Sequence, residues 1–462
     1  MAIAKLKRRS REEIIESLLS VRESVIKLTD GLDVDVSVEK YAHLIRKNEN
    51  GYSVWTEAFQ RAIDENETVI IPSALYYIDK TLVLPSNRKI IAYGAHIRKV
   101  PEMNTLLLRN EHLKDGSYRT ITRDDEDKNI SVIGGTWEDT GREWTFHHGL
   151  YDSKNSMVGV SACMCFINVR GLYLSDIKII RAGGFGIQLG YLTDGAIENI
   201  KFENTVADGV HINGHTKNLI VRNVSGSVGD DIIALNMYDW DASSVAFGNI
   251  ENVLCENICL APEARYKAIR ILPGQYRYKS SRFIESCYLR DVIIKGVRGV
   301  NTFKFYFQTP PHKIGEEAEE LDGVGDNLFI EDVEIDLDKP IDALEEYLSG
   351  DKILGTFAAF EFGSRFGRVT LSNIKAKLYQ EKFPTSYLLS IGPKSARRDG
   401  KEIFNPKLNS CIEELFLNSV SVNGELITKR NVGKYIKRIV FKNLYGEKNG
   451  KFSGKIKKIK FE

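Results

Sequence analysis

A short pattern recurs along the chain: Asn, Gly or Asp, then apolar and variable positions in alternation, then Asn or Asp, then an apolar residue. The clearest copies are NLIVRNV from Asn218, NVLCENI from Asn252 and NLFIEDV from Asn327. Weaker ones are GLYLSDI from Gly171, DGAIENI from Asp194, CYLRDV from Cys287, RVTLSNI from Arg368, ELFLNSV from Glu414 and RIVFKNL from Arg438. Each reads as one strand with period-2 alternation. The register advances by 23 and then 24 residues between the starts at 171, 194 and 218, and by longer steps afterwards, which requires inserted loops. A strand with its turn in roughly 20 to 25 residues is too short for a βαβ crossover of about 30. One such unit cannot bury its apolar face, but stacked units can, with parallel strands about 4.8 Å apart. The pattern therefore predicts an all-β chain coiled as a β-solenoid of stacked parallel strands. The recurring polar position (Asp176, Asn199, Asn223, Asn257, Asp291, Asp332, Asn373 and Asn443) is expected to form an inward ladder of stacked side chains at a bend.

Ahead of the repeats the periodicity changes. From Ser10 to Lys47, Ile14, Ile15, Leu18, Leu19, Val21, Ile26 and Leu28 recur at helical spacing; Asp33 to Val38 interrupts them and Tyr41 to Ile45 resumes. This predicts a helical appendage over residues 1–50, before a β-helix domain over 51–462. Thr56 to Ile97 reads as an amphipathic helix followed by three short strands. A helix laid over the first coil covers the sheet edge that a solenoid otherwise exposes.

Length alone, 462 residues at about 150 per domain, would suggest three domains, but a repeat that runs on argues for one long solenoid. Hydrophobic residues at 42% and charged ones at 27% exclude a disordered chain. Lys and Arg number 64 against 63 Asp and Glu, a net charge of +1 with the basic residues dispersed, so no nucleic-acid partner is expected. No run approaches the ~20 apolar residues of a membrane span, so no membrane partner is expected. Acidic residues appear before any apolar signal region, so the reading is cytoplasmic, with no secretory signal. Six cysteines are too few for a disulfide framework, and they are expected to be buried thiols, with Cys255 and Cys259 in the core.

Polar residues that the fold does not need concentrate between Asn204 and Leu235. Asp208 falls 14 residues after its repeat start at 194, and Asp230 and Asp231 fall 12 and 13 after theirs at 218. Nearly equal phase in consecutive coils places the three carboxylates on one face, one rung apart. Asp-Gly alone is a turn signal. Two adjacent acids beside a third gain nothing structurally unless a cation or a shared proton relieves their repulsion. Such a cluster suits cleavage of a glycosidic bond, with one protonated acid serving the leaving oxygen and an ionised one activating water.

At these residues the chain resembles the parallel β-helix polygalacturonases of glycoside hydrolase family 28, within the pectin-lyase-like superfamily, which carry N-T-D-G, then G-D-D, G-H-G and R-I-K. Asn204-Thr205 precedes Asp208-Gly209 with two residues interposed, and Gly229-Asp230-Asp231 follows at a suitable spacing. The resemblance implies a right-handed, single-stranded parallel β-helix, with Asp230 as the general acid and Asp208 and Asp231 holding the attacking water in an inverting hydrolysis. AIRIL, Ala268 to Leu272, is similar to the R-I-K segment, which implies that Arg270 contacts the sugar. Ile130 to Trp144 is similar to the family's first glycine-rich coil, and Thr56 to Ile97 to the capping segment of related proteins. Leu272 stands where the family has Lys, and no G-H-G follows the paired acids. Both absent residues help to bind a uronate in the family, so a neutral or differently decorated glycan is expected.

His211 and His215 flank the Asp208 strand and read either as loop residues or as sugar ligands in place of the missing family His. Trp137, Trp144, Tyr238 and Trp240 read as stacking platforms or as packing residues. Lys267, Arg277 and Lys279 read as anion contacts or a solvated loop, and His147-His148 lack further ligands at metal spacing. No metal and no cofactor are expected under the hydrolase reading. A rival is a polysaccharide lyase in which Asp208, Asp230 and Asp231 hold Ca²⁺ and Arg270 is the base. A third reading is a phage tailspike or tail-associated protein that binds or depolymerises surface glycan, which would place the chain on a virion or outside the cell. The expected partner is a carbohydrate, and the expected assembly a monomer or a homotrimer.

Overall fold

Parallel pairing joins the copies rung to rung. Arg170 lies opposite Thr193 and Thr193 opposite Lys217, offsets of 23 (193 − 170) and 24 (217 − 193) that match the predicted steps. The computed structural model describes residues 7–30, 35–103, 105–112, 125–141, 162–237, 245–246, 248–262, 268–272, 275–277, 284–299, 305–307, 324–337, 357–381, 386–392, 396–398, 401–403, 410–438, 440–442 and 451–462. These fall into two compact units: the described residues of 15–233 and 240–247, and those of 1–14, 234–239 and 248–462.

In the first unit a coil has three strand segments. Val169–Ser175, Lys178–Ile180 and Phe185–Gly190 are followed by Thr193–Thr205, whose two halves pair with the first two segments, and by Val210–Asn213, which pairs with the third. The alternation fills the interior with stacked apolar side chains. Leu172, Leu174, Ile179, Ile197, Ile200, Phe202, Leu219, Val221 and Val224 are all at most 1% exposed. Full burial of each such side chain contributes roughly 1.5–3 kcal/mol.

The start of this unit is closed as expected. Helix α2, Thr56–Glu65, buries Ala58, Phe59, Ala62 and Ile63. Its Gln60 side chain both accepts from Val83 N and donates to Val83 O, each at 2.9 Å, so an amide takes the place of a neighbouring strand at the open edge. Five short strands follow where three were predicted: Thr68–Ile70, Leu75–Ile78, Leu82–Leu84, Arg88–Ile91 and His96–Lys99. Pro72, Pro85 and Gly94 lie in three of the four turns between them and interrupt the apolar run there. Helix α1, Arg11–Asp30, occupies the predicted helical stretch, and the resumed pattern at Tyr41 lies in a 3₁₀ helix, Val38–Leu44. In this unit Arg22 of α1 is clamped to Glu198 on the outer face of Thr193–Thr205.

The polar column differs from expectation in direction. Asp176, Asn199 and Asn223 have φ of 57°, 56° and 54° and point outward, exposed. Asn199 Nδ2 donates to Asp176 Oδ1 at 2.9 Å and Asn223 Nδ2 to Asn199 Oδ1 at 2.8 Å. The left-handed backbone explains both the residue type and the direction. Asn and Asp tolerate positive φ because their short polar side chains bond locally, and at this corner the side chain is turned away from the core.

The second unit repeats the scheme with larger steps. Ile250–Leu260, Tyr288–Arg298, Val324–Asp336, Arg365–Lys377, Cys411–Val422 and Lys455–Phe461 pair in parallel in that order. Two assignments are corrected here. Asp291 aligns with Asn252 and Asn327 at the start of the strands, and Gly296, with φ 67°, takes the bend position between Asn257 and Asp332. Period-2 alternation cannot tell these two polar positions apart, because both tolerate positive φ. The copy from Arg438 is not a rung of this sheet. Val440–Lys442 forms an antiparallel pair with Lys451–Ser453, and Lys455–Phe461 is the next rung; Asn443 lies outside the described residues. The polar column at the strand starts is buried here because residues 8–11 lie over it: Asn327 donates to Arg9 O, Arg9 to Asn252, Arg8 to Asp326 and Arg11 to Glu331.

All six cysteines are free thiols. Cys163, Cys165, Cys255 and Cys287 are buried as predicted, but Cys411 is half-buried and Cys259 is exposed. Its place in Ile250–Leu260 falls on the outward phase of the alternation. Burial raises the pKa of Cys163, Cys165 and Cys255, the last up to about 12. Among the described residues no helix is long and apolar enough to cross a membrane.

Candidate active site

The turn that leads from Thr193–Thr205 into Val210–Asn213 carries Asp208, and the equivalent turn one coil later carries Asp230 and Asp231. The two turns are laced together. Gly209 N donates to Asp231 O and Val210 N to Ile232 O, each at 2.9 Å. Glycine is required on both sides of this seam. A Cβ on Gly229 would lie 2.0 Å from Val206 O, and one on Gly209 would lie 2.6 Å from Ile232 O. The Gly before the paired acids thus serves close backbone approach, bringing the acid-bearing turns into hydrogen-bond range.

One carboxylate oxygen from each of Asp208, Asp230 and Asp231 lies within 4.8 Å of the other two, so the juxtaposition predicted from phase is present. The expected openness is not. Asp208 and Asp231 have 0% exposure, and only Asp230 is partly exposed. Every residue of Phe185–Gly190 and Val210–Asn213 is buried. At the far ends of these strands, Val245 and Ala246 lie where a Cβ on Gly190 would touch them, and Val245 N donates to Asn213. The face that the sequence predicts to be open to sugar is thus buried at Asp208 and Asp231 and reachable at Asp230.

Asp208 sits among donors. Its Oδ1 accepts the backbone N–H of Asp231 at 3.1 Å, and its Oδ2 lies 2.6 Å from His211 Nδ1. His211 is fully buried and stacks on Phe185, ring centroids 3.9 Å apart at 16°. It therefore does not present itself as a surface sugar ligand; it is a partner of the acid. Three carboxylates this close, two of them out of water, favour a state in which a proton is shared among them.

The other predicted residues fall elsewhere. His215 occupies a left-handed turn position, φ 56°, beyond the far end of Val210–Asn213, and packs against Tyr191, itself at φ 49°. Trp137 is 0% exposed and donates to Gly134 O, so it is core. Arg270 belongs to the second unit, half-buried in Ile269–Leu272 opposite Tyr306, and Leu272 is buried. Tyr238, Trp240, Lys267, Trp144, His147, His148, Lys279 and the side chain of Arg277 lie outside the described residues.

Two features were not anticipated. Asn213, buried, lies 3.3 Å from His211 Nε2 through its amide nitrogen; the spacing His-x-Asn within one strand is the signal that places both on one face. On the coils two and three before Asp208, Asp139 and Lys99 form an ion pair at 2.8 Å with side chains 0% and 1% exposed, and Gly183 N donates to Asp139 at 3.1 Å.

The fold has clear counterparts among solved structures. A double mutant of the tailspike protein of E. coli bacteriophage HK620, in complex with a pentasaccharide, matches with a TM-score of 0.52 and 12% identity over 84% of this chain and 67% of the other. The chain has the fold of a right-handed parallel β-helix. A second double mutant of that tailspike matches this β-helix with a TM-score of 0.51, at 13% identity and the same coverage. The family 28 exopolygalacturonase of Yersinia enterocolitica is similar at 11% identity over 93% of this chain and 78% of the other, with a TM-score of 0.45. No protein-family model and no curated protein matches the β-helix.

Proposed function

We propose that this β-helix hydrolyses a glycosidic bond of a poly- or oligosaccharide at the Asp208, Asp230 and Asp231 cluster. The observation that carries the reading is the meeting of three carboxylates from consecutive coils within 4.8 Å, one of them partly exposed and two buried. Asp230 is the group that sugar can reach, so it is the general acid that protonates the leaving oxygen. Asp208 and Asp231, out of bulk water, hold and deprotonate the attacking water. Crowding of like charge favours the protonated acid that the first step needs.

The cluster is tighter than the roughly 6.5–9.5 Å between carboxyl groups in most inverting glycosidases. Product stereochemistry is therefore the informative measurement. An inverted anomer supports water held by the buried pair, whereas a retained anomer assigns one buried carboxylate as a nucleophile. Similarity to a tailspike crystallised with a pentasaccharide supports the related reading, in which the same chemistry acts on a surface polysaccharide of a cell.

The test is a panel of plant and bacterial polysaccharides assayed for released reducing ends. Release that Asp230→Asn abolishes supports hydrolysis. An ultraviolet-absorbing unsaturated product that a chelator suppresses would replace this reading with a lyase.

A further inference from the structure

We propose that Asn213, oriented by the backbone N–H of Val245, locks His211 in its neutral Nδ1–H tautomer, and that the locked imidazole positions Asp208. The mechanistic importance of this chain rests on the proposed glycan hydrolysis; the lock itself does not.

The argument is one of donors and acceptors. Val245 N lies 3.1 Å from Asn213 Oδ1, and a backbone N–H can only donate, so the atom facing it is the amide oxygen. The other end of that amide is then NH₂, which can only donate. It faces His211 Nε2 at 3.3 Å, so Nε2 accepts and carries no proton. The ring proton resides on Nδ1, which lies 2.6 Å from Asp208 Oδ2 and donates to it. Asp208 Oδ1 accepts from Asp231 N at 3.1 Å. The opposite tautomer would set an N–H against an NH₂ inside a site where Asn213, His211, Asp208 and Val245 all have 0% exposure, and such a conflict is costly away from bulk solvent.

Stacking fixes what hydrogen bonds do not. Phe185 lies 3.9 Å from the imidazole, centroid to centroid and nearly parallel, and so restricts rotation of the ring. Val245, 37 residues after Asp208 (245 − 208), therefore reaches it through two side chains. Asn213 and His211 touch no substrate in this scheme. They are positioning residues that keep the Asp208 carboxylate oriented for its part in holding and deprotonating the attacking water.

The experiment is ¹⁵N side-chain NMR of histidine-labelled protein, with the His211 signals assigned by their loss in His211→Gln. The expected wild-type pattern is a protonated Nδ1 and an unprotonated Nε2 at neutral pH. A protonated Nε2, whether in the other tautomer or in an imidazolium, would overturn the proposal with no assay of activity. Asn213→Asp keeps the shape but places a carboxylate against Nε2, which should then gain a proton; an unchanged His211 pattern in a variant that still melts cooperatively would also overturn it. On whichever glycan the wild type cleaves, Asn213→Asp should lower kcat at least tenfold with KM changed less than threefold. Loss confined to KM would make Asn213 a substrate contact instead. If no glycan is cleaved, the hydrolase reading fails while the NMR result still decides the lock.

Discussion

The backbone N–H of Asp231 donates to Asp208 Oδ1 at 3.1 Å, so the backbone of one acid directly supports the carboxylate of another 23 residues earlier. Both residues are fully buried. The contact exists because parallel coils stack at hydrogen-bond distance, and because glycine at 209 and 229 removes the Cβ atoms that would hold the turns apart.

Substitutions in the cluster should separate turnover from stability. Asp230→Asn, at the partly exposed position, should lower kcat by about 10²–10⁴-fold with little change in melting temperature. Asp208→Asn should lower kcat similarly and also destabilise, because a side chain that accepts a hydrogen bond at each of two oxygens is replaced by a group with one oxygen. Steady-state kinetics with thermal melts of both variants checks this; near-normal turnover by Asp230→Asn removes it from the mechanism.

Gly229→Ala tests the seam without touching an acid. Its Cβ would meet Val206 O at 2.0 Å, and backbone cannot move aside as a side-chain tip can. The expected cost is about 1–3 kcal/mol, seen as a lower denaturation midpoint, together with loss of turnover as the two turns part. A variant as stable and as active as the wild type would show that the close approach is unimportant.

Lys99→Met should strand the Asp139 carboxylate, which is 0% exposed on its side chain, and destabilise by about 3–5 kcal/mol. The double variant Lys99→Met, Asp139→Leu should recover much of that loss, because removing both charges removes the uncompensated burial. A double variant less stable than the single one would show that Asp139 is needed for its bond from Gly183 N more than for its pairing with Lys99.

The pair of His112 and Asp127 should confer a pH dependence. The hydrogen bond and charge of Asp127, 2.7 Å away, raise the His112 pKa against a smaller opposing effect of burial. A folded value above the ordinary ~6.5 means that the stabilisation is fully present below that pH and is lost as pH rises through the raised value. The stability difference between wild type and His112→Gln should therefore be larger at about pH 5.5 than at about pH 9. A constant difference across that range would show that protonation of His112 does not contribute.

The sequence by itself determined the coil. Alternation of apolar residues, a step of 23 to 24 and a polar residue at each bend are local requirements of a strand, a turn and a left-handed corner, and each is met within one repeat. Phase arithmetic also brought Asp208 beside Asp230 and Asp231, because stacking converts equal position in the repeat into spatial contact. The tertiary structure alone decided which way the polar column points, that Asp291 belongs to the strand-start column, that the acids lie mostly under cover, and that His211 serves Asp208 and not the surface. Those outcomes depend on contacts between residues far apart in the chain, such as Val245 with Asn213, and no periodicity records which remote segment will cover a face.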